Sequence, residues 1–273
     1  MTTRAQAFAL AMAVASALAP SAALAGAWPQ EEGRWLVVNQ FTYEESQTNG
    51  YGPQGQRVGH GNFKQFEFSP YIEYGLTEDW TLGVQPRIQY ANLSVPNGQS
   101  GGGSTTGLVE VNLFARYTIY KWDYDVLAVQ ATFGTPGYAG KNNNPQVANP
   151  WAEGELRLLY GHSFDITDNM SGFFDTEVAY RIEGGNNADQ FHSDTILGFK
   201  PDPDWIAMIN FNMTLGMGNN TGTGGNYDQY RIGAAIGTRI VDDWWVVLGG
   251  FHDIAGSHVA LANGVTLSIW TRF

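Results

Sequence analysis

Two short stretches of the chain bring together serine, histidine and aspartate, the side chains of hydrolytic catalysis. One is His192-Ser193-Asp194, and the other, residues 252–258, includes His252 and Ser257. A nucleophilic serine needs a base within hydrogen-bond reach and a third group that orients the base. If residues 190–200 form a strand, Ser193 points away from His192. The chain also lacks HExxH and phosphate-loop motifs. A lipid-modifying hydrolase is therefore only an alternative, and we expect no enzyme.

A larger set of ionisable residues alternates with apolar residues along the chain. Most of them lie at a similar distance from the nearest predicted short turn, so strands would place them at one depth, at ~3.3 Å per residue. Such a belt of mixed sign could select ions or solutes, or its members could pair across strands as a polar core. Both interpretations stay open. The candidate site residues are Glu67, Arg87, Glu110, Arg116, Glu155, Arg157, Glu177, Arg181, His192, Asp194 and Arg231.

The overall composition narrows the class of protein that could carry these residues. Of 273 residues, 15% are charged, 14% are aromatic and 34 are glycine, whereas soluble domains are about 25% charged. The formal net charge of −12 argues against a nucleic-acid partner, because such proteins carry basic surfaces. The absence of cysteine excludes disulfides, thiolate metal sites and cysteine nucleophiles. We expect no cofactor and no metal.

From Gly33 to Phe273, apolar and polar residues alternate with a period of two, which indicates strands with two different faces. In residues 107–120, for example, the alternation predicts Val109 on the apolar face and Glu110 on the polar one. We predict an all-β fold, a twelve-stranded antiparallel transmembrane β-barrel of the bacterial outer membrane. The predicted strands are 34–44, 63–76, 80–92, 107–120, 125–136, 153–165, 171–184, 190–200, 205–217, 229–241, 244–254 and 259–273.

The predicted connections alternate between short and long. Thr77-Glu78-Asp79 and Val241-Asp242-Asp243 are short turns, whereas 45–62 and 137–152 are long connections rich in small and polar residues. Short turns at one end and long loops at the other are typical of outer-membrane barrels. Tryptophans beside the short turns predict an aromatic girdle at the membrane interface. They are Trp80, Trp122, Trp205, Trp244 and Trp245.

The first 25 residues predict export. Arg4 precedes an alanine-rich apolar stretch, and Ala23-Leu24-Ala25 is a small-x-small cleavage site. This pattern is typical of a secretory signal peptide, 1–25, removed near Ala25. Residues 26–273 then form a single β-barrel domain, which we expect in the outer membrane of a Gram-negative bacterium. Its expected partners are outer-membrane lipid and lipopolysaccharide, a small-molecule solute, and the barrel-assembly machinery, which would read the strand ending at Phe273.

Several short motifs carry a family resemblance. Gly26-Ala27-Trp28-Pro29 precedes the first strand, and the likeness continues through residues 69–77, 80–83, 113–117 and 155–161 to Trp270-Thr271-Arg272-Phe273. In these motifs the chain resembles XagA-type proteins, within a group of outer-membrane transporters linked to the meta-pathway of phenol degradation. The resemblance implies an outer-membrane barrel with a transport role, and it brings no catalytic residue and no solute.

The sequence therefore predicts passive uptake or export of small molecules through a narrow, charge-lined lumen. An ionic lumen would suit polar solutes, whereas the resemblance implies hydrophobic ones, and the sequence leaves this conflict open. A further alternative is a barrel that serves as partner of a polysaccharide or redox export complex.

Overall fold

The computed structural model describes residues 26–46, 49–51, 57–59, 62–94, 103–140, 145, 147–220 and 226–273. The described residues form fourteen strands: β1 (Trp35–Ser46), β2 (Asn49–Tyr51), β3 (Arg57–Gly59), β4 (Asn62–Gly75), β5 (Trp80–Ser94), β6 (Gly103–Lys121), β7 (Asp125–Gly134), β8 (Glu153–Thr167), β9 (Met170–Glu183), β10 (Gln190–Asp202), β11 (Trp205–Gly216), β12 (Asp228–Val241), β13 (Trp244–Ser257) and β14 (Asn263–Arg272). Within this part of the chain, no helix is long and apolar enough to cross a membrane. The predicted signal peptide, 1–25, lies outside the described residues.

Twelve of the strands close into one antiparallel barrel, in the order β1-β14-β13-β12-β11-β10-β9-β8-β7-β6-β5-β4. The barrel closes because β1 pairs with both β4 and β14, so that Val37 lies between Ile72 and Thr271. Closure leaves no strand edge unpaired, which a sheet in lipid requires. The predicted twelve-stranded barrel is confirmed. The small ribbon β2-β3 lies within the predicted connection 45–62 and was not predicted.

The two faces of the barrel have opposite polarity. The outward face of β9 carries Val178, Tyr180 and Ile182, of which Ile182 is 61% exposed, whereas the inward Glu177 is 3% exposed. The strands β4 and β14 alternate in the same way, with Phe66 and Val265 outward and Glu67 and Thr266 inward. A charged side chain facing lipid costs about 2–4 kcal/mol for Arg or Lys at the bilayer midplane, so this orientation is the stable one.

The connections differ between the two ends of the barrel. At the short-turn end, β8–β9, β10–β11 and β12–β13 are joined by two residues each, and β4–β5 and β6–β7 by slightly longer turns. In the tightest of them, Asp242 has a φ of 39°, a left-handed conformation that Asp and Asn tolerate better than most residues. The remaining connections meet at the opposite end, which we call the long-loop end.

A β-bulge in β6 corrects one predicted face. Arg87 pairs with Glu110 and Ile88 with Leu108, so Val109 is an extra residue in the ladder. Val109 and Glu110 both face inward and are buried, and Leu108 is exposed outside. The prediction that Val109 faces lipid was wrong, because a bulge reverses the alternation along its strand.

The structure also corrects two predictions in the last strands. Trp245 is 2% exposed and points inward, whereas Trp80, Trp122, Trp205 and Trp244 are 41–51% exposed. Consecutive residues of a strand face opposite sides, so Trp244 and Trp245 cannot both belong to a girdle. The last strand was predicted to start at residue 259, but β14 starts at Asn263. Val259 and Ala262 are instead buried in the preceding loop.

Candidate functional site in the barrel lumen

The charged inward side chains form an ionic belt between the middle of the barrel and the long-loop end. The belt consists of Glu44, Glu67, Arg87, Glu110, Glu153, Glu155, Arg157, Glu177, Arg181, Asp194, Arg231 and Asp253. Nine of these were candidate site residues, and Glu44, Glu153 and Asp253 were missed. Glu153 has the same strand parity as Glu155, which was predicted to face inward, so parity alone would have found it.

Arg87 sits at the centre of the first cluster of the belt. Its Nη2 is 2.6 Å from Oε2 of Glu67, and its Nη1 is 2.7 Å from Oε1 of Glu110. These three residues come from the neighbouring strands β4, β5 and β6, and Arg87 is fully buried. A buried guanidinium needs such partners, because an unpaired buried charge is strongly destabilising.

Two arginines organise the second cluster, on β8 to β10. Arg157 contacts Glu155 at 2.9 Å and Asp194 at 2.8 Å, and it also pairs with Glu177. Arg181 donates to Glu155 at 2.7 Å and pairs with Glu153. One carboxylate therefore bridges two guanidiniums, which links three strands into one polar network.

The third cluster joins the two ends of the chain. Nε of Arg231 is 2.6 Å from Oδ1 of Asp253, and its Nη2 is 3.5 Å from Oε2 of Glu44 on β1. The guanidinium also lies over the ring of Phe251, 3.9 Å from its centroid. Asp253 accepts a hydrogen bond from the backbone N–H of Ala262 at 2.9 Å, which holds the β13–β14 loop against the belt.

His192, another candidate, is buried and faces inward, close to the belt. Its Nε2 is 3.2 Å from Oε1 of Gln190, and its Nδ1 is 3.4 Å from Oγ1 of Thr214. These contacts make it part of the polar interior.

Toward the short-turn end the lumen is filled by an apolar layer. The layer consists of Leu36, Val38, Tyr71, Phe114, Val126, Ala128, Leu159, Phe173, Ile196, Ile206, Met208, Ala235, Trp245, Val247, Phe251 and Trp270. Trp245 and Trp270 stack with their centroids 6.4 Å apart. Sequence reasoning assigned only polar residues to the lumen and missed this layer.

The N-terminal segment, residues 26–34, enters the short-turn end and joins the apolar layer. Trp28 is 4% exposed and packs on Gly161, where an added Cβ would lie 2.0 Å from its ring. The N–H of Ala27 donates to Oδ2 of Asp175 at 3.1 Å. Nε2 of Gln30 donates to Oε2 of Glu73 at 2.6 Å. Only an inward residue without a side chain leaves room for Trp28. Gly161 on the inward face of β8 was therefore the sequence signal that another segment packs there.

The candidate residue Arg116 holds this segment. It is 1% exposed, and its Nη1 donates to the carbonyl oxygen of Trp28 at 3.2 Å. Its Nη2 donates to the hydroxyl of Tyr71 at 2.9 Å and also pairs with Glu73. Nε donates to Gln130 at 3.1 Å. Arg116 therefore lies below the ionic belt and links the N-terminal segment to the barrel wall.

At the long-loop end, the connection between β7 and β8 folds inward. Ala139, Val147 and Ala148 are buried against Val109 and Ala91. The hydroxyl of Thr105 donates to the carbonyl oxygen of Pro145 at 2.8 Å. The bulge that turns Val109 inward thus supplies the surface on which this loop packs.

The residues considered for hydrolysis are not arranged as a catalytic pair. Ser257 donates to Oδ2 of Asp228 at 2.9 Å, and Nδ1 of His252 lies 2.6 Å from Oδ1 of Asn263. Ser193 pairs across the sheet with Val178 and Met213, on the face opposite to His192. In the part of the chain that the structure describes, no group of three His, Asp or Glu side chains could hold a metal ion.

Solved structures with the same architecture come from outer-membrane proteins. The chain is similar to an outer-membrane channel from Pseudomonas putida F1, with a TM-score of 0.71 and 13% identity over 90% of this chain and 98% of that one. It is also similar to the β domain of the Bordetella autotransporter BrkA, with a TM-score of 0.53 and 13% identity over 89% and 100% of the two chains. The NanC porin gives a TM-score of 0.51 and 6% identity over 86% and 98%. At these identities the likeness establishes the fold.

No protein-family model matches the chain, and no curated protein matches it either. The resemblance to XagA-type proteins therefore stays a prediction.

Proposed function

We propose that this protein is an outer-membrane channel for the passive movement of small molecules. The observation that carries the proposal is the reversal of polarity across the barrel wall. Exposed apolar side chains such as Leu156 and Ile182 cover the outside, whereas charged side chains are enclosed. Lipid solvates the apolar outer surface, and a closed barrel keeps the charged side chains away from lipid. Similarity to an outer-membrane channel and to a porin supports the same function.

The position of the N-terminal segment supports the proposed cleavage of a signal peptide near Ala25. Ala27 is fully buried inside the barrel, and its N–H donates to Asp175. Cleavage after Ala25 would leave the new amino group at Gly26, one residue from this carboxylate. Mass spectrometry of the mature protein would give its first residue, and a protein that retains residues 1–25 would contradict the proposal.

The proposed passage is narrow, and its two ends differ. The N-terminal segment occupies part of the short-turn end, and the β7–β8 loop covers part of the long-loop end. We place the preference for solutes at the ionic belt, where a polar molecule would exchange hydrogen bonds with paired charges. Passage of anything larger than a small ion requires the N-terminal segment to shift.

The proposal favours a channel over the alternatives. Ser257 and His252 hydrogen-bond to Asp228 and Asn263 rather than to each other, which argues against this pair as the site of a lipid hydrolase. A barrel that serves an export complex would need a lumen free for its partner, whereas this one is filled by its own chain. The link of XagA-type proteins to phenol degradation suggests apolar solutes, and the apolar layer would accept their rings.

Conductance of the purified full-length mature protein in planar bilayers tests this function. We expect small, infrequent openings for the wild type and a higher open fraction for Trp28→Ala, which removes the main apolar contact of the N-terminal segment. Trp151→Ala, at a 53% exposed tryptophan in the β7–β8 loop, is the control and should behave as wild type. If wild type and Trp28→Ala both insert but pass neither ions nor small sugars in liposome swelling, the protein is not a channel.

A further inference from the structure

The N-terminal segment forms its described side-chain hydrogen bonds with one side of the barrel wall. That segment touches Glu73, Thr81, Arg116, Gly161 and Asp175, which lie on β4, β5, β6, β8 and β9. The opposite wall, β10 to β14, carries three basic residues at the same end, on alternate strands. They are Lys200 on β10, Arg239 on β12 and Arg272 on β14.

Arg272 is a buried cation without a hydrogen-bonded carboxylate. Its side chain is inward and 6% exposed, and its Nε and Nη1 have no partner among the described residues. Two residues away on the same face, the indole Nε1 of Trp270 also lacks a partner, although Trp270 is 1% exposed. Three N–H donor atoms on this inward face therefore have no acceptor among the described residues, and leaving such donors unsatisfied is costly.

Arg272 differs from the arginines of the ionic belt in having no carboxylate partner among the described residues. Each arginine of the ionic belt has at least one carboxylate within ion-pair distance, as Arg87 has with Glu67 at 2.6 Å. Glu31, Asp243 and Glu73 influence Arg272 electrostatically, and Glu73 forms its ion pair with Arg116. Arg239 is already paired with Asp204 at the rim.

The positive charges also act on one another. Lys200 is close enough to Arg272 and Arg239 for their charges to repel it, and no described carboxylate pairs with Lys200. Like charges in a partly buried mouth are unfavourable unless an opposite charge lies between them. The arrangement therefore favours an anion.

We propose that Arg272, Trp270 and Lys200 form a binding site for the carboxylate of a small organic acid. The guanidinium supplies the planar pair of donors that fits a carboxylate, the indole N–H adds a third donor, and Lys200 adds a second charge. The apolar body of the acid lies against the neighbouring layer, where Ile206 and Trp245 are each 2% exposed.

The acid enters this site from the short-turn end. On the other side lies the ionic belt, in which eight carboxylates face four guanidiniums and oppose the approach of an anion. The inference deepens the proposed channel function by naming a solute class, and it depends on that function only for the direction of access.

Calorimetric titration of the mature protein in detergent with hexanoate tests the site. We expect saturable binding of hexanoate, loss of affinity by about tenfold to a hundredfold in Arg272→Gln, as for a charge-assisted hydrogen-bonded pair, and a several-fold loss in Lys200→Gln. Arg272→Lys keeps the charge without the paired donors and should bind with intermediate affinity. The matched control is Arg239→Gln, whose guanidinium is held by Asp204, and its affinity should stay within about twofold of wild type, as for an exposed pair.

Hexanamide, which has the same apolar body and no charge, is the second control. Equal binding of hexanamide and hexanoate would overturn the proposal, and so would wild-type affinity in Arg272→Gln. The electrophoretic shift on heating shows whether each variant is a folded barrel, and Arg272→Lys keeps the test valid if Arg272→Gln does not fold. Because binding is measured without transport, a conducting barrel that ignores hexanoate would refute this site and leave the channel function intact.

Discussion

The two halves of the lumen are filled in different ways. Toward the long-loop end, charged side chains fill the interior and satisfy one another in pairs such as Arg87 with Glu110. Toward the short-turn end, apolar side chains such as Phe173 and Met208 fill it, and the N-terminal segment completes the packing. The ionic half tolerates few substitutions, because each charge depends on a partner at one position. The apolar half is tolerant, because a side chain of similar volume can replace another. A passage can therefore open more readily where the filling is apolar and partly contributed by a separate segment.

Arg157→Met should have the largest effect, because it removes the guanidinium that Glu155, Glu177 and Asp194 share. Breaking a buried ion pair from one side costs about 3–5 kcal/mol. We expect a loss of this size in the free energy of unfolding by urea, followed by tryptophan fluorescence. The same substitution at Arg239, whose pair with Asp204 is largely exposed, should cost less than about 1 kcal/mol. Equal losses at both sites would show that the buried ion pairs of the belt contribute no more to stability than an exposed pair.

Met208→Ala should have an intermediate effect in the apolar half. Met208 is 4% exposed within the apolar layer, and truncation of a buried methionine costs about 2–5 kcal/mol. Met208→Leu keeps the volume and should cost less than about 1.5 kcal/mol. Both values should be independent of salt in the same unfolding experiment. A loss for Met208→Leu as large as that for Met208→Ala would contradict the tolerance of this half.

Gly161→Ala should increase opening of the channel with only a small loss in the stability of the barrel. The added Cβ would meet the ring of Trp28 at 2.0 Å, so the N-terminal segment has to move while the barrel wall stays intact. We expect a loss of about 1 kcal/mol in the free energy of unfolding, at the low end of overpacking costs because the segment can shift, together with a clear rise in the open fraction in planar bilayers. Gly154→Ala on the same strand, where a Cβ meets nothing within 4 Å, is the matched control. Unchanged conductance in Gly161→Ala would mean that the segment does not limit passage.

Asp189→Asn should have the smallest effect, at the long-loop end. Partial burial raises the pKa of Asp189, but hydrogen bonds from Asn219, from the N–H of Glu183 and from Tyr180 outweigh it and hold the pKa below its usual value. The resulting stabilisation is present above the pKa of the unfolded chain, about 3.9, and is lost as the pH falls through the lower folded value. The protection factor of the Glu183 amide hydrogen, which compares its exchange rate with that of an unstructured amide at the same pH, should therefore fall below about pH 4 in the wild type. In Asp189→Asn the protection factor should be lower at neutral pH and insensitive to acid, and an acid-sensitive protection factor in the variant would contradict the assignment.

The alternation of residues was enough to predict the strands and the orientation of most charges. A strand allows only two faces, and lipid penalises a charge on one of them, so Glu67, Arg157 and Arg231 could be placed inward from parity. Parity does not show which inward residues pair. It also fails where the ladder is irregular, as at Val109, or where two rings are adjacent, as at Trp244 and Trp245.

The filling of the lumen could not be predicted in the same way. The N-terminal segment has no alternation, and its position depends on contacts such as Trp28 with Gly161, between residues far apart in the chain. The inward β7–β8 loop depends likewise on packing across the barrel. These contacts depend on shape, which a one-dimensional pattern of polarity does not encode.

The pairing of β1 with β14 has a consequence for assembly. Leu36 and Arg272 are cross-strand partners from opposite ends of the chain, and contacts of such long range form slowly because a large loop must close first. Residues 26–34 are therefore synthesised early, but the wall that encloses them is complete only when the final hairpin has been joined. A barrel released before that moment would be open at its seam, so closure of the wall around the N-terminal segment is a late step of maturation.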